Sequence, residues 1–243
     1  MYNEVSTKQN RLQMTPRQRD ILGAIVELYA KTAEPVGSMA LCEQFDTSSA
    51  TLRAEMAELE RHGFIMQPHI SAGRVPTDKG YRAYVNTLKS SSIEGRYERA
   101  VARQVMSAGE SDRAIKNAVE SLANVTRNLG LATIGGNLYL SGMASLFKQP
   151  EFMQAESAYQ VARLLDSLEE WLAEAAPNDL LSVYIGAENP IGRTSGATLI
   201  ISRFESPFSD RSYIGVLGPT RQHYGSVIGM VEYTGRLLQE TLN

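Results

Sequence analysis

At 243 residues the chain is long enough for two cores, and 43% apolar with 21% charged residues describes an ordinary folded protein and excludes global disorder. The single cysteine, Cys42, excludes an internal disulfide framework, and His62, His69 and His223 lack the spacing of metal ligands, so no metal or other cofactor is expected. The formal net charge of -3 conceals an asymmetry: residues 1–90 carry 11 basic and 10 acidic side chains, whereas 91–243 carry 13 and 17.

In chain order, residues 1–13 read as a polar tail with no apolar leader core, and no apolar run approaches the roughly 20 residues needed to span a bilayer. A cytoplasmic location without a membrane partner is expected. Thr15-Pro16-Arg17-Gln18 is a helix start: the Thr15 hydroxyl caps, Pro16 has no amide proton to leave orphaned, and Gln18 reaches back. The helix should run to about Lys31, with Ile21, Leu22, Ile25, Val26, Leu28 and Tyr29 on one buried face. Pro35-Val36-Gly37 breaks the chain, and Ser38 is expected to cap a short helix ending near Phe45. Asp46-Thr47-Ser48 then leads into ATLRAEMAELERHG, which completes a helix-turn-helix. In that third helix Leu52, Met56 and Leu59 share one side, so Ala50, Ala54, Ala57 and Arg61 point outward with Thr51 and Arg53 beside them.

A short strand, FIMQ, precedes the loop HISAGRVPTDKGYR, and between 61 and 89 the basic residues Arg61, Arg74, Lys79, Arg82 and Lys89 face only Asp78. Three helices, a strand, a basic glycine-containing loop and VPTDKGYRAYV follow the winged helix-turn-helix plan, in which the third helix enters the major groove and the wing grips adjacent backbone. An acidic overall composition does not oppose DNA binding when the basic patch is this local. Taken singly, each feature also has a plain structural reading, as a solvated loop or an exposed helix of good propensity.

After Val85 the polar link NTLKSSSIEG leads into a helical stretch, Arg96 to Leu129. The strand-like runs GLATI, NLYLSG, LLSVYIGAE, GATLIISRFE and SYIGVLGP follow, with helices near 156–175 and 220–240. That mixture reads as α+β with an antiparallel sheet. IGAENPIGRTSGA matches neither common phosphate-loop pattern and reads as a turn between strands, and GPTRQHYG reads as a strand end running into the last helix. Trp171 and the tyrosines read as core, and no nucleophile, base and orienter trio emerges, so no catalytic residue is expected.

The stretches TPRQRDILGAIVELYAKTAEPVGSMALCEQF, SSATLRAEMAELERHGFIMQPHISAGRVPTDKGYRAYV, LFKQPEF, IGAEN and IGVLGPTRQHYGSVIGMVEY resemble the HrcA family of heat-inducible transcription repressors across nearly the whole chain. The resemblance implies a winged-helix DNA-binding domain over 14–89 and a GAF-like antiparallel-sheet domain over 90–243 for regulation and dimerisation. It also implies a homodimer on an inverted-repeat operator named CIRCE, with activity supported by a GroEL-type chaperonin. The DNA-binding residues it points to are Ser48, Ser49, Thr51, Arg53, Ala54, His69, Ser71, Arg74, Lys79 and Arg82. Two positions depart from the family pattern: Ala54 stands where the family usually has Asn, and Ile70 where its wing has Thr. Ala offers only a methyl contact to thymine where Asn reads adenine. Only a few residues separate GLATI from NLYLSG, where family members carry a long inserted dimerising segment. Two other readings stand beside this one, a winged-helix regulator responsive to a small molecule and a winged-helix protein-interaction module that has lost specific DNA binding.

Overall fold

The computed structural model describes residues 14–88, 95–175, 177 and 179–243; the polar tail 1–13, Lys89 and the 89–94 part of the link lie outside the described residues. Two compact units are distinguished, one within residues 14–88 together with 221–223, the other formed by the remainder from Gly95.

The first helix, α1 (Pro16–Thr32), begins where its orphan amides find partners. Thr15 Oγ1 accepts from the Gln18 amide at 3.2 Å, and Gln18 Oε1 accepts from the Thr15 amide at 3.0 Å, the reciprocal cap read from the sequence. A 3-10 turn (Ser38–Leu41) runs into α2 (Cys42–Phe45) and then α3 (Ser49–Arg61), followed by β1 (Ile65–Met66), β2 (Val75–Pro76) and α4 (Asp78–Val85). Ser38 is not the cap that was expected: Gly37 occupies that position without a side-chain bond, and the Ser38 hydroxyl instead meets that of Ser49 at 2.7 Å. Ile21, Leu22, Ile25 and Val26 of α1 are buried, as are Leu52, Met56 and Leu59 of α3, Phe64 and Ile65 beside the hairpin, and Tyr81 of α4. Helix α1 packs on both α3 and α4, and the buried residues of α3 share one side of that helix.

The helical stretch expected as one piece is two, α5 (Gly95–Met106) and α6 (Ser111–Thr126), separated at Gly109 with φ 73°. Beyond α6 come β3 (Leu129–Ile134), β4 (Asn137–Ser141), α7 (Met143–Phe147), α8 (Ala155–Asp166), α9 (Leu168–Ala175), β5 (Leu181–Ile185), β6 (Ala197–Ser206), β7 (Ser209–Pro219) and α10 (Tyr224–Leu242). The five strands form one antiparallel sheet in the order β4-β3-β7-β6-β5. Alternation along the strands supplies two apolar faces. Leu129, Leu131, Leu199, Ile201, Tyr213 and Leu217 pack with Leu146 of α7, Val161 and Leu164 of α8 and Leu168 and Leu172 of α9. The alternate residues Ala132, Ile200, Ile214 and Val216 are equally buried, and α10 lies against β6 and β7 while α6 lies against β3.

Tyr97 of α5 is buried with its hydroxyl 2.9 Å from Thr234 Oγ1 on α10. Thr234 donates its own proton to the Met230 carbonyl at 2.7 Å, so Tyr97 is the donor of the pair. Burial away from water pushes the Tyr97 hydroxyl up to about 12. An unfolded tyrosine ionises near pH ~10. The contribution of the neutral side chain is therefore complete below that pH and is lost as pH rises through the folded value. Tyr97→Phe should cost about 1 kcal/mol at neutral pH by losing the hydrogen bond. It should also flatten the alkaline fall in stability measured by denaturant unfolding; an alkaline profile like the parent's would show that Tyr97 does not titrate in this way.

Candidate nucleic-acid interface

Helix α3 presents its outer face because its apolar residues occupy only one side. Ala50, Thr51, Arg53, Ala54, Ala57 and Arg61 are all exposed. The amino-terminal turn is built from hydroxyls: Ser48 caps, accepting from the Thr51 amide at 3.2 Å, and its hydroxyl lies 3.0 Å from that of Thr51. Ser49, joined to Ser38, accepts from Arg53 Nη2 at 3.1 Å. A helix start of this kind offers amide donors and the positive end of the dipole to an anion, with Arg53 held alongside. Ala54 and Ala57 leave the centre of the face low, which permits close approach by a groove floor.

The wing lies between β1 and β2. Its two sides are stapled by Gln67 Nε2, which donates to the Ala72 carbonyl at 3.1 Å, and its tip is closed by the Ala72 amide donating to the His69 carbonyl at 3.0 Å. Ser71 takes φ 72° in that tip, and its hydroxyl bonds the Ile70 carbonyl. His69, Ile70 and Ser71 are all exposed. At its root the wing pairs with the segment before the 3-10 turn: Val36 and Arg74 exchange both backbone hydrogen bonds at 2.9 Å. A side chain at Gly73 would stand 2.5 Å from the Val36 carbonyl carbon, so only glycine permits this approach.

The basic residues of this stretch are largely engaged within the unit. Arg74 reaches Glu60 on α3 with Nε at 3.0 Å and Nη2 at 2.9 Å, a two-pronged pair that fastens the wing to the helix. Arg61 pairs with Glu58 at 2.7 Å, and its guanidinium holds the Glu58 carboxyl below the usual carboxylate range. Lys79 donates to the His62 carbonyl at 2.8 Å and sits 4.5 Å from the centre of the Phe64 ring, tying α4 to the end of α3. Arg82 is half-buried on α4. The fold thus gathers Ser48, Ser49, Thr51, Arg53 and Ala54 at one helix end and His69 and Ser71 on the wing tip, while Arg74 and Lys79 brace the frame. Sequence reasoning missed Ser38, Glu60, Gln67 and Val36. Glu58 and Glu60 stand just before the window in which the basic excess was counted, and the other contacts join residues with no periodic relation. Among the described residues no group of His, Cys, Asp or Glu is placed to hold a metal ion, and no helix is long and apolar enough to cross a membrane.

Comparison with known proteins places both units. The family model described as the winged helix-turn-helix transcription repressor HrcA DNA-binding domain matches residues 13–90, and that of the HrcA protein C terminal domain matches 82–228. A heat-inducible transcription repressor HrcA of Gloeobacter violaceus is 28% identical over 331 aligned positions, covering 91% of this chain and 92% of the relative. The alignment is longer than the 243-residue chain itself, so the relative carries residues opposite which this chain has none. One of Nodularia spumigena is 39% identical over 158 positions, covering 60% of this chain and 42% of its own length. A crystal structure described as that of a hypothetical protein superposes with a TM-score of 0.79 at 19% identity, covering 94% of this chain and 98% of that one.

Gly73→Ala is expected to detach the wing root, because the new Cβ must displace the Val36 backbone rather than a flexible side chain. The cost should be about 2 kcal/mol, in the range for overpacking. Denaturant unfolding checks the size, and hydrogen exchange at the Val36 and Arg74 amides checks the place. Parent-like protection at both amides would contradict the assignment.

Proposed function

The chain belongs to the HrcA family of heat-inducible transcription repressors, and from that premise we propose that it represses chaperone genes by holding an inverted-repeat, CIRCE-like operator as a homodimer. The observation that carries this reading is the outer face of α3, where small side chains lie between a hydroxyl-rich, Arg53-flanked helix start and a braced wing. In this reading α3 enters the major groove. Ser48, Ser49, Thr51 and Arg53 meet phosphate and base edges at its start, and Ala54 faces a thymine methyl. His69 and Ser71 reach backbone from the wing, Arg74 fastens the wing beside α3 through Glu60, and Lys79 and Arg82 line the flank. The GAF-like second unit joins two copies, so that two heads share one operator at raised effective concentration. The residues that the Gloeobacter relative carries and this chain lacks are assigned to the Gly135-Gly136 turn between β3 and β4.

Selection of bound fragments from random duplexes tests the DNA reading. An inverted repeat should emerge, and Ala54→Asn should shift preference at one base pair per half-site toward adenine by roughly 1 to 3 kcal/mol. Recovery of no preferred sequence, with binding insensitive to salt, would favour an interaction module instead.

The heat response follows from population. Only a folded dimer engages both half-sites, and each ~1.4 kcal/mol of lost stability shifts the folded ratio about tenfold. A GroEL-type chaperonin free of other clients restores the active form; one occupied by unfolded protein does not. After modest heating and return, operator binding should recover more fully with the chaperonin and nucleotide than without. Full spontaneous recovery would refute this regulatory part and leave the DNA reading standing.

A further inference from the structure

The wing ends in an isoleucine. Ile70 is 93% exposed, and among the described residues no other large apolar side chain is so fully in water, the next being Leu180 at 78%. Single exposed apolar residues are common and need no function. Ile70 differs in how it is held. It sits at the apex of a turn closed by the Ala72 to His69 hydrogen bond, stapled across by Gln67 and fixed in attitude to α3 by the Arg74–Glu60 pair. A loop whose root is this well determined delivers its tip to a defined place at little cost in conformational entropy. The two residues flanking Ile70 are polar and exposed, so the apolar tip projects between groups suited to phosphate or sugar.

We propose that Ile70 is a specificity-determining residue that seats in the minor groove next to the major-groove site of α3, its branched side chain against deoxyribose and base edges; this rests on the DNA-binding reading given above. With α3 in the major groove, the wing, paired to Glu60 in the last turn of that helix, stands toward the adjoining backbone, and the proposal seats its tip in the groove beyond. Apolar side chains, isoleucine among them, serve as wedges in minor grooves. The contact releases no counterions, so it adds affinity without adding to the salt dependence. It also discriminates between base pairs. Guanine places its exocyclic amino group on the minor-groove floor, and an aliphatic group over it leaves that donor without water or partner, whereas A·T pairs carry no such donor. Ile70 therefore favours A·T pairs under the wing.

The test uses the full chain and the duplex recovered by selection, together with two copies in which the pairs under the wing are all G·C or all inosine·C, the second lacking only the minor-groove amino group of the first. Ile70→Thr should lower affinity by roughly tenfold, the loss expected for the burial of one aliphatic side chain. The slope of log affinity against log salt should stay that of the parent. The parent should bind the inosine duplex more tightly than the guanine duplex, and Ile70→Thr should narrow that difference. Since residue 70 is in water, thermal unfolding should be unchanged, which separates a lost contact from a damaged head. Three results would overturn the proposal: equal affinity of variant and parent, a lower salt slope in the variant, or an inosine preference untouched by the substitution. A parent that binds no duplex in a salt-sensitive manner would remove the DNA reading itself, and that failure is recognisable because it belongs to the parent rather than to the variant.

Discussion

The outward surface of the amino-terminal unit depends on two places where backbone meets backbone with no room for a side chain. At one, α4 starts against the turn that follows α3: a Cβ on Gly80 would stand 2.0 Å from the Phe64 carbonyl oxygen, and the Thr77 amide donates to that same carbonyl at 3.1 Å. At the other, the wing root closes on Val36 past Gly73. These contacts fix where β1 and β2 leave the core, and hence where the wing stands relative to α3. Phe64, fully buried between them, supplies the apolar anchor. The Arg74–Glu60 pair then determines the wing's attitude, and the Lys79 contacts determine that of α4. Cations that a charge tally assigns to a ligand are in this way used first as fasteners.

That double use explains which parts of the interface were legible in the sequence. Local signals carried through: the Thr15–Gln18 cap and the buried side of α3 follow from spacing along one helix, and both stand where the spacing put them. The outward position of Ala54 follows from the same periodicity. The bracing pairs were illegible because Arg74 and Glu60, like Ser38 and Ser49, are brought together only by the closure of the unit. Counting charge from residue 61 onward left out Glu58 and Glu60, whose carboxylates neutralise Arg61 and Arg74. In the second unit the strands were readable from apolar alternation, but the break between α5 and α6 turns on Gly109 in a left-handed conformation, a residue that by itself is tolerated inside helices.

The second unit shows how a chain shorter than its aligned relative still closes a sheet. Gly135 and Gly136 take φ 56° and 83°, the conformation that joins two antiparallel strands through a two-residue turn without splaying them. Strand β3 is then covered on both sides, by β4 and β7, and both sheet faces are buried under helices. The apolar order of β3, β6 and β7, rather than the turn, maintains the core.

If α3 and the wing of each copy engage one stretch of duplex together, hydroxyl-radical footprinting of the selected duplex by the full chain will show it. Two protected patches related by a dyad are expected, each spanning the backbone that borders a major groove and extending across the adjoining minor groove, with half-site centres about one helical turn or a whole multiple apart. A single patch without a dyad, or protection that stops at the major groove and leaves the neighbouring minor groove open to cleavage, would contradict it.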